Sequence, residues 1–463
     1  MPPGRADPRL LLALAWLAGF TLIDSSIVSL ALPDIARDFD RSVGELAWVS
    51  TGYLLALAAT LLAAGRLNDR YGSRPVLGIG GVAFLVLTAA CGLAPSFELL
   101  VAARLAQGIA GGILYTVSLA IVVTAFPPER RAWAIGLYFT SGALGAVIGP
   151  VVGGFLTDLG GWRLVFLAQL PLPVLVAVGA WLLLPAGAGR PRPMDLPGLA
   201  AASIFMVAVT LALLELAVPG AGGIALVAGV VAAVALMAFV AIERRAAEPA
   251  VRLAIFANPQ FVRATAAGAS AWFAILSAVI YAALYLQLGR GLSAGDAGLI
   301  LLAGPLVGLI FFPFAGRFVS AVGVEAAMRL GLVVLVAAAV GMLTWDADTP
   351  IWLVVAVQLL NGAGISITLV ASADEAMAQF TPAEAGTGSA LFNSLRQLGA
   401  AMGVAVPAVA FEALAGGRLG PEAALSGSTA AFGVRLAVLA LPLLLVLGSR
   451  SRHVHVATEA EAP

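Results

Sequence analysis

Two ionisable side chains stand where long apolar runs should hold none. Asp24 lies inside the run from Leu10 to Leu32, and Arg104 inside a second run over residues 98–124. A charge at such depth in a bilayer costs on the order of 2.5 to 3.5 kcal/mol even on lenient insertion scales. A carboxylate withdrawn from water takes a proton more readily, so its charge becomes conditional. One such site can hold either a proton or a cationic substrate, which is what exchange across a membrane requires. A structural ion pair with Arg104 is the alternative. Enzyme chemistry has no comparable footing. The two histidines lie in the tail RHVH, Cys91 is the single cysteine, and no nucleophile or metal constellation occurs within the apolar runs. No catalytic residue, metal or cofactor is therefore expected.

These residues need elements to carry them, and composition says which kind. Of 463 residues, 61% are hydrophobic and 11% charged, whereas a soluble domain carries roughly 25% charge. The chain is an all-α integral membrane protein. A window of about 19 residues finds spans near 10–32, 46–65, 75–94, 98–124, 133–157, 163–185, 197–217, 222–242, 261–288, 294–319, 326–345, 350–371, 386–413 and 429–448, fourteen in all. All 25 basic residues are arginines spread singly along the chain, which excludes the basic stripe of a nucleic-acid binder. Placing the N-terminus inside puts seventeen of them on the inner side and six, among them Arg435, on the outer side. The positive-inside rule then places both termini in the cytoplasm, in the inner (plasma) membrane of the cell.

The chain also repeats itself. AGRLNDRYG at Ala64–Gly72 matches AGRFVSAVG at Ala315–Gly323, and VAARLAQG from Val101 matches VAVQLLNG from Val355. Two related six-helix bundles follow, over 1–190 and 251–450, with an inserted helix pair over 191–250 and a cytoplasmic tail over 451–463. Paired bundles with a site between them are how many secondary transporters alternate access. Asp24 has the apolar neighbourhood of Ile275 as its repeat position, and Arg104 has neutral Gln358.

GRLNDRYGSRP from Gly65 resembles the loop signature of the major facilitator superfamily, and LVAARLAQGIAGG from Leu100 is similar to its fourth-helix motif. SGALGAVIGPVVGGFL from Ser141 resembles the fifth-helix motif of the antiporter branches. LIDSSIVSLALPDI, GWRLVFLAQLPL and LFNSLRQLGAAMG are similar to segments of the fourteen-helix drug:proton antiporters. The resemblance covers essentially the whole chain. It implies a gating loop at Gly65, Asp69, Arg70, Gly72 and Arg74, in which Asp69 latches a neighbouring helix terminus in one conformation. Ser73 departs from the pattern, where a second adjacent base is usual. The resemblance also implies that Arg104 assists proton transfer at a nearby acid; snorkelling outward toward Glu98 is the alternative. Gly142, Gly145, Gly149 and Gly153, with Pro150 and Gly154, form a small-residue face, either a rocking contact against Gly304, Pro305 and Gly308 or ordinary packing.

Trp16, Phe20, Tyr53, Gln107, Tyr115, Tyr138, Trp272, Tyr281, Gln358, Asn361, Asn393 and Arg396 complete the candidates as cavity lining, with cation-attracting aromatic faces among them. The expected function is proton-coupled antiport that exports lipophilic small molecules (drug or multidrug efflux) from a monomer in the bilayer. Its partners are the substrate and protons. Export of one endogenous metabolite or antibiotic is a second reading, and a non-transporting scaffold or receptor a third.

Overall fold

Helix boundaries follow the chain's own punctuation. The computed structural model describes residues 7–20, 24–28, 31–40, 43–185, 195–216, 222–246, 249, 251–292, 294–415 and 420–448. The first bundle comprises α1 (Pro8–Phe20), α2 (Asp24–Val28), α3 (Leu32–Phe39), α4 (Val43–Tyr71), α5 (Ser73–Gly92), α6 (Phe97–Ala125), α7 (Pro128–Leu167) and α8 (Pro171–Leu183). An antiparallel pair follows, α9 (Leu196–Leu216) and α10 (Gly222–Glu243). The second bundle comprises α11 (Pro259–Leu284), α12 (Ala294–Leu301), α13 (Ala303–Val322), α14 (Val324–Leu343), α15 (Ile351–Ala378), α16 (Ala385–Ala415) and α17 (Pro421–Leu447). Proline opens α7, α11 and α17, where the first turn has no use for its missing N–H. Ser96 and Asn258 cap α6 and α11 by accepting from Leu99 N and Gln260 N.

Among the described residues, twelve helices are long and apolar enough to cross a membrane, and the expected fourteen are not reached. The span over 10–32 includes residues outside the described ones; its α1 has 13 residues, about 20 Å of helix against a core of about 30 Å. The span over 133–157 lies within α7, and several of its side chains are outside the described residues. At Gly160 and Gly161 the α7 backbone leaves helical geometry, Gly161 with φ 73°. That kink separates the expected fifth and sixth spans. The 186–194 connection, and with it the 190/191 domain boundary, lies outside the described residues, as does the tail over 451–463.

The internal repeat has a physical basis. Gly72 and Gly323 occupy the same register and carry the same turn, with φ 84° and 90°, a region that penalises any side chain. A Cβ on Gly108 would strike the Tyr53 carbonyl, and one on Gly362 would strike the Gly304 carbonyl. Both pairs are related by the repeat, so α4 meets α6 as α13 meets α15. Between the bundles, α9 packs against both α4 and α16, and Ser203 Oγ donates to the Ala59 carbonyl at 2.6 Å.

Candidate functional site

Asp24, the first residue of α2, is 1% exposed, and Arg104, seven residues into α6, is 0% exposed. They form an ion pair through Arg104 Nη1 and Asp24 Oδ2. The same Nη1 donates to Gln107 Oε1 at 2.7 Å, and Nε donates to the Val49 carbonyl at 2.9 Å. Gln107 Nε2 in turn donates to Thr88 Oγ1 at 2.8 Å. The Tyr53 ring stacks on the guanidinium with its centroid at 4.5 Å. The arginine thus turns inward to Asp24 rather than snorkelling toward Glu98. Among the described residues, Asp24 Oδ1 and Arg104 Nη2 meet no hydrogen-bond partner. This site has α2, α4, α5 and α6 as its walls.

At the Gly72 end the two bundles are fastened together. Asp69, near the end of α4, accepts from Gly386 N (2.8 Å), Thr387 N (2.9 Å) and Thr387 Oγ1 (2.6 Å). These groups form the first turn of α16, whose dipole adds attraction for an anion. Gly65 packs on the Gly386 carbonyl, and a Cβ on either glycine would collide with the other helix. Arg131 at the start of α7 pairs with Asp374 of α15 at 2.5 Å. Ser389 Oγ donates to the Thr116 carbonyl at 2.7 Å. Arg74 leaves this contact and lies over the Trp181 ring at 4.5 Å. The second copy of the loop has Ser320 in register with Asp69, next to buried Val319, and so carries no acid there.

The remaining polar candidates do not form one wall. Arg396 is 2% exposed and reaches across the bundles, donating to Tyr115 Oη and, at 3.0 Å, to Asn393 Oδ1. Tyr138 shares a hydrogen bond with Ser118 at 3.0 Å. Asn361 belongs to a third cluster that sequence reasoning missed, and Gln358 lies buried one turn before it on α15. The cluster's centre is Arg435, placed outside by the arginine tally but buried in α17 at 0% exposure. Arg435 donates to the Asn361 Oδ1, to the Ala274 carbonyl and to Ser277 Oγ at 2.8 Å. Gln107 and Asn361 are repeat partners, and each accepts from a buried arginine. The available signal was the position of Arg435 inside the 429–448 run. Tyr281 is tied to the Val404 carbonyl at 2.6 Å within the second bundle, away from the bundle interface. The side chain of Phe20 lies outside the described residues.

This architecture has counterparts. A sequence model described as Major Facilitator Superfamily matches residues 14–404. The chain belongs to the major facilitator superfamily. It is 33% identical over 412 residues to the tetracenomycin C resistance and export protein of Streptomyces glaucescens, covering 87% of this chain and 75% of that one. It is 31% identical over 419 residues to the multidrug efflux pump LfrA of Mycolicibacterium smegmatis, covering 88% and 82%. The solved proton:xylose symporter XylE superposes with a TM-score of 0.68 at 15% identity over 94% of each chain, a likeness of fold.

In this major facilitator a close contact between α7 and α13 is made by glycines outside the expected face. Gly136 abuts the Phe312 carbonyl, and Gly316 abuts the Trp133 backbone, so a Cβ at either would clash. Gly142 faces open space, Gly304 meets nothing nearer than the Gln358 carbonyl at 3.7 Å, and Gly153 packs on Ile27 of its own bundle. The Gly136–Gly316 contact lies nearer the Gly72 end than Gly142 does. Gly145 and Gly149 are buried, Gly154 is half-buried, and the Pro150 side chain is outside the described residues.

Proposed function

We propose that this efflux transporter of the major facilitator superfamily is a proton-coupled antiporter that exports lipophilic small molecules by alternating access. The observation that carries the coupling is the Asp24–Arg104 pair, buried in one bundle with no acid at its repeat position in the other. While ionised, Asp24 ties α2 to α6. A proton on Asp24 cancels that attraction, leaving Arg104 to Gln107 and the Val49 carbonyl, and frees the first helix to move against the fourth. The fastened Gly72 end corresponds to a state closed toward the cytoplasm. The positive-inside bias supports this orientation, with both termini in the cytoplasm of the plasma membrane. We also assign the chain to the fourteen-helix branch, working as a monomer. The α9–α10 pair between the two bundles supports that assignment, as do the helical segments α1 and α7 within the two uncounted spans.

The test is proton release from acidified everted vesicles on addition of a panel of lipophilic compounds. Wild-type protein should dissipate the gradient with at least one compound, and Asp24→Asn with none. Gradient-coupled export at wild-type rate by Asp24→Asn would refute the role given to the pair. Export of a single compound is the second reading, favoured by a relative named for resistance to one antibiotic. A substrate screen in intact cells separates one substrate from many.

A further inference from the structure

We propose that the exported molecule is a planar aromatic anion anchored by Arg396; this rests on the export reading above. Arg396 lies eleven residues into α16, about 16 Å along a helix that crosses a core of about 30 Å. It is therefore near the midplane, between two repeats, where secondary transporters hold their substrates. Its guanidinium centre is 5.6 Å from the Tyr115 ring, 5.0 Å from Phe139, 5.1 Å from Trp272 and 5.2 Å from Phe392. Two of these rings come from each bundle. The cage is thus made by the contact that alternating access must open and close.

The charge balance at this depth fixes the sign of the ligand. Asp24 is already committed to Arg104. Among the described residues no carboxylate pairs with Arg396, or with Arg435 behind it on the α11 side. A guanidinium holds its charge at any working pH, so the second bundle presents fixed positive charge to the interface. Arg396 Nε and Trp272 Nε1 are buried donors that meet no acceptor among the described residues. A carboxylate or phenolate entering the cage would accept from such donors in charge-assisted bonds. Its flat ring system would stack among the four aromatic side chains. A planar cation of the same size would meet the rings but also like charge, and a neutral analogue would leave the donors poorly served.

The test uses three planar probes on the purified full-length protein: anthraquinone-2-carboxylate, its methyl ester and ethidium. Binding is read by quenching of tryptophan fluorescence. The carboxylate should bind at least tenfold more tightly than the ester, with ethidium weakest. Arg396→Gln should erase the preference for the carboxylate over the ester, while Arg396→Lys, which keeps the charge, should retain most of it. Size-exclusion profiles and melting curves establish that each variant is folded. If Arg396→Gln does not fold, the wild-type order of the three probes and the Arg396→Lys result decide. Equal or tighter binding of the ester or ethidium in wild-type protein would overturn the proposal, as would an unchanged preference in folded Arg396→Gln. Vesicle transport separates the two readings. Gradient-driven movement of ethidium or the ester, with the carboxylate excluded, sinks the anion proposal and leaves export standing. A carboxylate preference in binding with no movement of any probe sinks export instead.

Discussion

Replacing Asp69 by Asn should unlock the Gly72 end. The carboxylate accepts three hydrogen bonds from the first turn of α16, at 2.6 to 2.9 Å. Asparagine keeps one acceptor oxygen and loses both the charge and the second acceptor. A hydrogen bond to a charged group contributes about 1.5–3 kcal/mol, and a negative charge at a helix N-terminus about 0.3–1 kcal/mol, more when partly buried. Opening lets water reach the freed N–H groups, which offsets part of the loss. A net shift of about 2 kcal/mol toward the open form remains, about thirtyfold in population at 1.4 kcal/mol per decade. Ala390 is fully buried and packs against Gly65 beside the latch. In a Cys91→Ser background, Ala390→Cys should therefore react with a soluble maleimide about thirtyfold faster once Asp69→Asn is added. An unchanged rate in well-folded protein would refute the latch.

Three further outcomes follow from the geometry. Gly136→Leu should open the same end and lower the melting temperature, since overpacking a tight interface costs about 1–3 kcal/mol; Gly142→Ala, which meets open space, should leave melting unchanged or raise it slightly. Asp24→Asn should destabilise the protein by about 3–5 kcal/mol, because it leaves Arg104 buried without its counter-ion. Adding Arg104→Gln should restore much of that stability without restoring transport, as melting curves and vesicle flux will read. Asp38, outside the spans, accepts from Arg163 at 2.6 Å and Trp162 at 3.0 Å. The Arg163 hydrogen bond, aided by that of Trp162, holds its carboxyl below the ordinary aspartate value against slight desolvation. Its contribution is thus complete above that ordinary value and fades as pH falls below about 4. Trp162 fluorescence should report the loosening there, and Asp38→Asn should abolish that acid step.

The sequence by itself determined the class of molecule, its internal repeat and the residues worth watching. A bilayer makes run length and buried charge informative, since each charge inside a span needs a partner, and so Asp24, Arg104 and Arg396 stand out without coordinates. The paired glycine turns were equally legible, because only glycine accepts the backbone at Gly72 and Gly323 without strain. Partner choice was not. Asp69 finds its donors more than three hundred residues away at Gly386 and Thr387, and Arg131 finds Asp374 on the other bundle. Arg435 looked like a surface charge because topology counting assigns arginines to loops, whereas helix packing places it among Asn361, Ser277 and the Ala274 carbonyl. The glycine stripe showed that α7 could approach another helix closely. Only the packed bundles decided that Gly136, and not Gly142, makes the contact, because helix rotation and depth are set by neighbours rather than by local pattern.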